Sequence, residues 1–143
     1  MAYEVKKVSV VSIIEKDGKY LFLKRSNMGK GDGFYMLPGG GHVDAGESVL
    51  HAAVRELKEE LGIDVKESDL EFKLVEPIKT YITFFFRVKK FDGILQNMEP
   101  EKNGEMVYLP IDAKDIHPFS RRELELIKKD VSFLPNDDVD LSS

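Results

Sequence analysis

The sequence predicts one domain of the mixed α/β or α+β class. Three observations support this class: β-rich segments lie before and after one principal helix, a second amphipathic helix follows near the carboxyl end, and no internal repeat is present. The chain has 143 residues, 42% of them hydrophobic, which is enough apolar mass for one core. We therefore expect residues 1–143 to form a single domain.

The first predicted elements are two strands joined as a hairpin. Residues 5–15 are rich in β-branched side chains, Asp17-Gly18 is a typical hairpin turn, and residues 20–25 return as the partner strand. Residues 26–33 form a polar, glycine-rich loop, and their Gly-Lys-Gly-Asp-Gly run lacks the Gly-Lys-Ser/Thr ending of a P-loop. This loop therefore offers only weak support for a phosphate cradle.

The remaining elements follow from their own local patterns. Ser48 is placed to cap the principal helix, and Gly62 to end it in the left-handed conformation with Ile63 as its apolar contact. Residues 136–143 are acidic, and we expect them to fray. We predict helices over 48–61 and 120–129, strands over 34–37, 71–75, 80–89 and 106–109, and a loop over 91–104.

The principal helix has an acidic face beside an apolar one. At about 100° per residue, Glu56, Glu59 and Glu60 share one face, with the small Ala52 expected among them. Like charges at this spacing destabilise a helix, and a hard divalent cation would remove that cost. Glu47 is placed at the helix start, where a carboxylate suits the dipole. The neighbouring apolar arc, predicted to pack on the core, contains Leu50, Ala53, Val54, Leu57 and Leu61.

A glycine-rich loop precedes this helix. Leu37-Pro38 is followed by Gly39, Gly40 and Gly41, which let the backbone approach a ligand closely or adopt positive φ. A backbone carbonyl in this loop is therefore a candidate metal ligand.

Residues 41–63 as a whole resemble the signature of the Nudix hydrolases, G-x5-E-x7-R-E-U-x-E-E-x-G-U, in which U is a bulky aliphatic residue. Agreement at nine positions with fixed spacing makes chance a poor explanation. The resemblance implies an α/β/α sandwich with a mixed β-sheet between helices. The fixed positions are Gly41, Glu47, Arg55, Glu56, Leu57, Glu59, Glu60, Gly62 and Ile63.

The resemblance also implies a reaction, which is metal-dependent cleavage of a phosphoanhydride bond by water attack on phosphorus. It implies Mg²⁺ or Mn²⁺ held by Glu56 and Glu60, with Glu59 as a further ligand or as the water-activating base. Arg55 would orient its neighbours through a charge-assisted hydrogen bond. Counting back from the signature makes Gly40 the carbonyl ligand, whereas counting forward from the proline chooses Gly39, so both stay open.

The implied substrate is a nucleoside triphosphate, cleaved to monophosphate and pyrophosphate, or a related nucleoside diphosphate derivative. Residues 97–102 are similar to a stretch in MutT-related members, which implies that Glu99 or Glu101 reaches the metal site; a charged surface loop is the equal alternative. Met106 and Tyr108 stand where tryptophans often follow that stretch. ADP-ribose, nucleotide sugars, dinucleoside polyphosphates and a non-catalytic nucleotide-sensing module remain alternatives.

Charged and aromatic side chains outside the signature are candidates for substrate binding. Lys24 and Arg25 are placed at a strand end to meet phosphates, or to face solvent. Tyr35, Phe84 and Phe86 are candidates to stack on a base, although aromatic residues in strands are more often part of the core.

The composition and net charge of the chain limit the kinds of partner and metal site that are expected. A net charge of −5 argues against binding to duplex nucleic acid, while a small nucleotide bound through metal is compatible with it. The absence of cysteine excludes disulfides and thiolate zinc sites, and the three histidines have no metal-ligand spacing. No signal peptide or membrane-length apolar stretch is seen, so we expect a cytoplasmic protein that does not bind membranes. Homodimerisation is left open.

Overall fold

The computed structural model describes residues 2–133, so the expected frayed tail at 136–143 lies outside the described residues. A 3-10 turn spans Glu67–Asp69. The strands are β1 (Lys7–Ile13), β2 (Glu15–Lys16), β3 (Lys19–Arg25), β4 (Tyr35–Met36), β5 (Gly41–His42), β6 (Leu70–Ile78), β7 (Tyr81–Val88) and β8 (Asn103–Leu109), and the helices are α1 (Val49–Leu61) and α2 (Pro118–Lys128).

Within residues 2–133, the strands form two sheets of four. The first sheet is mixed: β1 runs parallel to β7 and antiparallel to β5, and β6 lies at the edge, antiparallel to β7. The second sheet is antiparallel, with β3 pairing with β2, β4 and β8.

The predicted hairpin has the right turn but the wrong first strand. Asp17 and Gly18 both have positive φ and turn the chain between β2 and β3, whereas β1 ends at Ile13 and belongs to the other sheet. Ile13 and Ile14 are both buried, at 2% and 3% exposure, and pack in different cores. Side chains therefore keep alternating between the two faces through Ile14, while the pairing changes from β7 to β3 where the chain passes from one sheet to the other.

The two helices cover opposite faces of the sheet layer. In β3, Leu21 packs in the core beneath α1, while the next residue, Phe22, packs in the core beneath α2. In β7, Phe86 likewise packs in the core beneath α1 and Phe85 in the core beneath α2. This alternation confirms the predicted α/β/α sandwich, with the sheet layer divided into one mixed and one antiparallel sheet.

The ends of α1 match the expectation closely. Ser48 Oγ accepts a hydrogen bond from the His51 N–H, and Gly62, at φ 71°, donates its N–H to Lys58 O. Ala52 is an exception to the predicted helix face, because it is completely buried in the core rather than among the carboxylates. The reason is that α1 packs against β5 as well as β1, which covers this edge of the helix.

Several boundaries differ from the prediction. β6 extends to Leu70–Ile78, beyond the expected 71–75, and β8 begins at Asn103, within the expected 91–104 loop. α2 begins at Pro118 rather than at residue 120, because His117 Nδ1 caps the helix by accepting the Phe119 N–H. Within residues 2–133, neither helix is long and apolar enough to cross a membrane.

Candidate active site

The glycine loop and α1 meet through two close approaches. The Gly39 N–H donates to Glu60 Oε1 at 2.6 Å, and Gly39 has φ 71°, which favours glycine. A Cβ atom at Gly41 would overlap the Glu56 carboxyl group. The loop therefore needs glycine at both positions: Gly39 for its positive φ and for the space that Ser12 fills, and Gly41 for the space that Glu56 fills.

Arg55 holds the acidic residues of the signature together. Its Nε and Nη2 donate to the two carboxylate oxygens of Glu47 at 2.8 and 2.9 Å, and its Nη1 donates to Glu56 Oε1 at 2.8 Å. Nη2 also donates to His42 O at 2.9 Å, which ties α1 to β5. The hydrogen bonds from Arg55 keep the pKa of Glu47 well below its usual range.

Glu47 lies just before the N-cap of α1, as expected, but its contacts go beyond the expected interaction with the helix dipole. It bridges Arg55, His51 and the backbone N–H of Asp44. This role depends on the chain folding back before α1, which residue spacing does not reveal.

Two signature carboxylates have pKa values above the ordinary range. Burial is the main cause for both, and it raises the pKa of Glu60 to about 7 against the opposing hydrogen bond from Gly39. The neighbouring charges of Glu56 and Glu99 raise the pKa of Glu60 further, and those of Glu59 and Glu99 raise the pKa of Glu56. Acidic charge is therefore concentrated at the border of α1, where Glu59 is the more exposed member, at 54%.

The loop after β7 brings Glu99 to this site. The Gln96 and Met98 N–H groups donate to Leu61 O and Glu60 O, both at 2.9 Å, which fixes the loop to the end of α1. The Asn97 side chain donates to Asn103 O at 2.7 Å and accepts the Glu99 N–H at 3.2 Å.

The two acidic candidates of this loop have different surroundings. Glu99 accepts a hydrogen bond from Lys102 Nζ at 3.1 Å, and its charge acts on the signature carboxylates. Glu101 is exposed, and its charge acts on Lys102. The structure therefore brings Glu99, rather than Glu101, to the signature.

A cavity of about 520 Å³ lies between α2 and the mixed sheet. It adjoins the signature at Gly41, and Gly40 and Arg25 also line it, whereas Glu56 and Glu60 do not. Aromatic and imidazole rings of His42, Tyr81 and Phe119 also line it. Sequence reasoning missed these three, because their convergence depends on strand pairing between distant segments.

The predicted substrate-binding residues are only partly brought to this cavity. Arg25 lines it, whereas Lys24 Nζ lies 5.5 Å from the centre of the Tyr35 ring, and the Tyr35 hydroxyl donates to Glu105 at 2.7 Å. Phe84 and Phe86 point to the α1 side and pack against its core, away from the cavity. They do so because they alternate along β7 with Thr83 and Phe85, which face α2.

The chemistry of the donors fits a divalent cation, but their arrangement requires rotation of side chains. Within residues 2–133, no three Asp, Glu or His side chains are positioned to hold one ion as they stand. Glu56 Oε1 already accepts a hydrogen bond from Arg55, and Glu60 Oε1 already accepts one from the Gly39 N–H. Glu56, Glu60 and Glu99 nevertheless supply mutually repelling oxygen donors, the type that Mg²⁺ takes.

Comparison with known proteins identifies the class. Residues 4–129 match the family model of the NUDIX domain. The chain therefore belongs to the Nudix family of hydrolases, which confirms the resemblance seen in the sequence. Members of this family generally use divalent metals.

Individual relatives agree with this assignment. The chain is 49% identical over 63 residues to an ADP-ribose pyrophosphatase of Methanocaldococcus jannaschii, a match that covers 44% of this chain and 36% of the relative. The crystal structure of a MutT NUDIX hydrolase from Burkholderia pseudomallei has a TM-score of 0.74 and 27% identity, covering 85% of this chain and 98% of that chain. The solution structure of the E. coli ORF135 protein has a TM-score of 0.73 and 27% identity, and the match covers 87% of this chain and 90% of that chain.

Proposed function

We propose that this protein is a metal-dependent pyrophosphohydrolase that cleaves a phosphoanhydride bond of a nucleotide. The observation that carries the proposal is the half-buried Glu60 carboxyl group, held by the Gly39 N–H beside the charges of Glu56 and Glu99. Such a concentration of carboxylates beside a glycine loop is suited to a cation and a phosphate chain.

Within this proposal, each residue of the site has a distinct role. Glu56 and Glu60 would hold Mg²⁺ or Mn²⁺, with Glu59 or Glu99 as a further ligand and the carbonyl of Gly40 or Gly39 as a backbone ligand. The bound cation supplies charge neutralisation on the phosphate oxygens and lowers the pKa of a water molecule.

The other site residues position these ligands and move the proton. Arg55 orients Glu56 through its 2.8 Å hydrogen bond, and the Gly39 N–H orients Glu60. Glu59 or Glu99 accepts the proton of the attacking water, which then adds to phosphorus as the anhydride oxygen leaves.

We propose a nucleoside triphosphate, cleaved to monophosphate and pyrophosphate, as the first substrate candidate. The position of Glu99 beside the signature supports it, since loop 97–102 resembles a stretch of MutT-related members that cleave nucleoside triphosphates in this way. ADP-ribose is the second candidate, because the relative in Methanocaldococcus jannaschii is named for that activity. Nucleotide sugars and dinucleoside polyphosphates complete the panel to be tested.

The decisive experiment is a substrate panel with Mg²⁺ or Mn²⁺ and identification of the products, run in ¹⁸O-labelled water. We expect a nucleoside monophosphate with pyrophosphate or a second phosphorylated product, and the position of the label shows which phosphorus is attacked. Glu60→Gln should retain the fold and lose turnover by about 100-fold or more, because one proposed metal ligand is removed.

Failure to release any of these products across the panel would contradict the proposal. Nucleotide binding by calorimetry without turnover would instead support a non-catalytic nucleotide-sensing module.

A paired substitution in the loop tests which acidic residue assists. Glu99→Gln should lower kcat by about 10-fold or more, whereas Glu101→Gln should stay within about twofold of wild type. Steady-state kinetics at saturating metal measures both. Equal losses in the two variants would contradict the assignment of Glu99 and point to a general effect of loop charge.

We also propose that residues 1–143 act as one domain in the cytoplasm, without duplex nucleic acid or membrane partners. Homodimerisation stays open, and sedimentation velocity at micromolar concentrations decides it. Phe72 and Phe133, at 46% and 56% exposure, are apolar side chains available to such an interface.

A further inference from the structure

Two carboxyl groups are buried together in the wall of the cavity, on elements outside the signature. Glu76 on β6 is 3% exposed and Glu123 on α2 is 9% exposed, and both line the cavity. Burial, followed by the hydrogen bond to Glu76 and the charge of Glu76, raises the pKa of Glu123 well above its usual range. Burial and the neighbouring Glu76 therefore favour the protonated form of Glu123.

The hydrogen-bonding capacity of this pair is not fully used. Glu76 Oε2 is buried and has no hydrogen-bond partner within the described part of the chain. Its ion-pair partner is Arg122, whose Nη1 lies 3.7 Å away and also makes no hydrogen bond there. A buried carboxylate oxygen without a donor is costly, so a ligand that brings an N–H or O–H group would be stabilised at this point.

The pair lies in register with the signature across the mixed sheet. His42 is opposite Ser9, Ser9 is opposite Thr83, and Thr83 is opposite Glu76, which makes one row across β5, β1, β7 and β6. Ser9 Oγ and Thr83 Oγ1 are 2.7 Å apart, which shows that these side chains share a face. The row spans three strand spacings, about 14 Å in all, from the start of the signature to the carboxyl pair.

The walls of the cavity suit a flat aromatic group. Apolar side chains of Leu37 and Ile78 line it, and Phe119 adds an aromatic ring on the α2 side. The His42 ring stacks on Tyr81, with 5.7 Å between the ring centres. A planar base buries its faces well in such surroundings, whereas a sugar would leave most of its hydroxyl groups without partners.

The opposite end of the cavity suits phosphate. Arg25 lines the cavity and lies close enough to the signature for its charge to lower the pKa of Glu60. Gly40 and Gly41 line the same end. A nucleotide placed along the row would therefore have its phosphates at the signature and its base at the carboxyl pair.

We propose that the Glu76–Glu123 pair determines base specificity, with Glu76 Oε2 accepting an N–H from an exocyclic amino group of the nucleobase. This inference rests on the proposed function, because it takes the substrate to be a nucleotide. The pair does not touch the reacting phosphates, so it selects the substrate and takes no part in the chemical step.

Calorimetry with nucleoside monophosphates in chelated buffer tests this proposal without requiring turnover. Adenosine monophosphate is compared with purine riboside monophosphate, and guanosine monophosphate with inosine monophosphate, since each pair differs by one amino group. We expect the wild-type protein to bind the amino-bearing member of at least one pair about 10- to 100-fold more tightly. In Glu76→Gln this ratio should fall toward one.

Glu125→Gln is the matched control, because Glu125 is an exposed residue of α2. It should keep the wild-type ratio, and near-UV circular dichroism checks that both variants are folded. The proposal is overturned if neither pair is discriminated, if no monophosphate binds, or if Glu76→Gln keeps the wild-type ratio. It is also overturned if Glu76→Gln changes ribose against deoxyribose preference instead, since that result assigns the pair to the sugar.

The two proposals can fail separately. Discrimination between amino-bearing and amino-lacking bases, with no product from the substrate panel, would leave base recognition intact and overturn the hydrolase. Turnover with unchanged base preference in Glu76→Gln would overturn the base-recognition role alone.

Discussion

At the residue scale, the glycines of the signature region serve different physical needs. Gly62 ends α1 in the left-handed conformation at φ 71°, a role that the helix pattern predicts. Gly41 is required because the carboxyl group of Glu56 occupies the space that a Cβ atom would need. The second requirement involves a side chain on another element, so the residues next to Gly41 do not predict it.

Gly41→Ala should therefore damage the site more than the fold. The added methyl group displaces Glu56 and breaks its 2.8 Å hydrogen bond with Arg55, so we expect kcat/KM to fall by about 100-fold. Gly104→Ala is the control, since the nearest atom to its Cβ would be 3.7 Å away. Activity of Gly41→Ala close to that of Gly104→Ala would show that the position of Glu56 does not matter.

At the element scale, α1 is the part that local pattern predicts best. Its apolar face and its acidic edge follow from a period of 3.6 residues, and its caps follow from Ser48 and Gly62 at its ends. The strands were predicted less well, because the residues of a strand do not by themselves determine which other strand it pairs with. β1 illustrates this, since it pairs with β7 rather than with the neighbouring hairpin strand β3.

Leu57→Ala tests how far the fold depends on the buried face of α1. Leu57 is completely buried, so the lost contacts and the remaining cavity should reduce the free energy of unfolding by about 2–5 kcal/mol. Urea denaturation followed by circular dichroism measures the loss.

The adjacent Lys58→Ala is its control. The Lys58 side chain is 58% exposed and forms a surface ion pair with Asp64, so this change should cost less than about 1 kcal/mol. Similar losses in the two variants would mean that the buried face of α1 does not control stability.

At the scale of the whole molecule, the signature carboxylates should link stability to pH. The pKa of Glu60 is raised from 4.5 to about 7 in the folded state, so the folded protein binds the proton more tightly than the unfolded chain. This contribution to stability is full below pH 4.5 and is lost as the pH rises through about 7.

With a metal chelator present, the free energy of unfolding of the wild-type protein should therefore fall by about 3 kcal/mol between pH 4.5 and 7.5, relative to that of Glu60→Gln. Urea unfolding at several pH values in this range measures the difference, with Glu125→Gln as the exposed control. Added Mg²⁺ should reduce the loss by favouring the ionised carboxylate. Parallel stability curves for wild type and Glu60→Gln would contradict the link.

The prediction from sequence was strongest where the determining residues are close together along the chain. The class of protein, the limits of α1 and the acidic edge all depend on fixed spacings between residues 41 and 63, because helix geometry is local. The tertiary structure decided which distant segments meet. Ser9 and Thr83, 74 residues apart in the chain, form a hydrogen bond. Glu99, rather than Glu101, lies beside the signature, and Phe84 packs in the core. Pairing between strands brings such residues together, and the residue pattern of one strand does not predict which strand pairs with it.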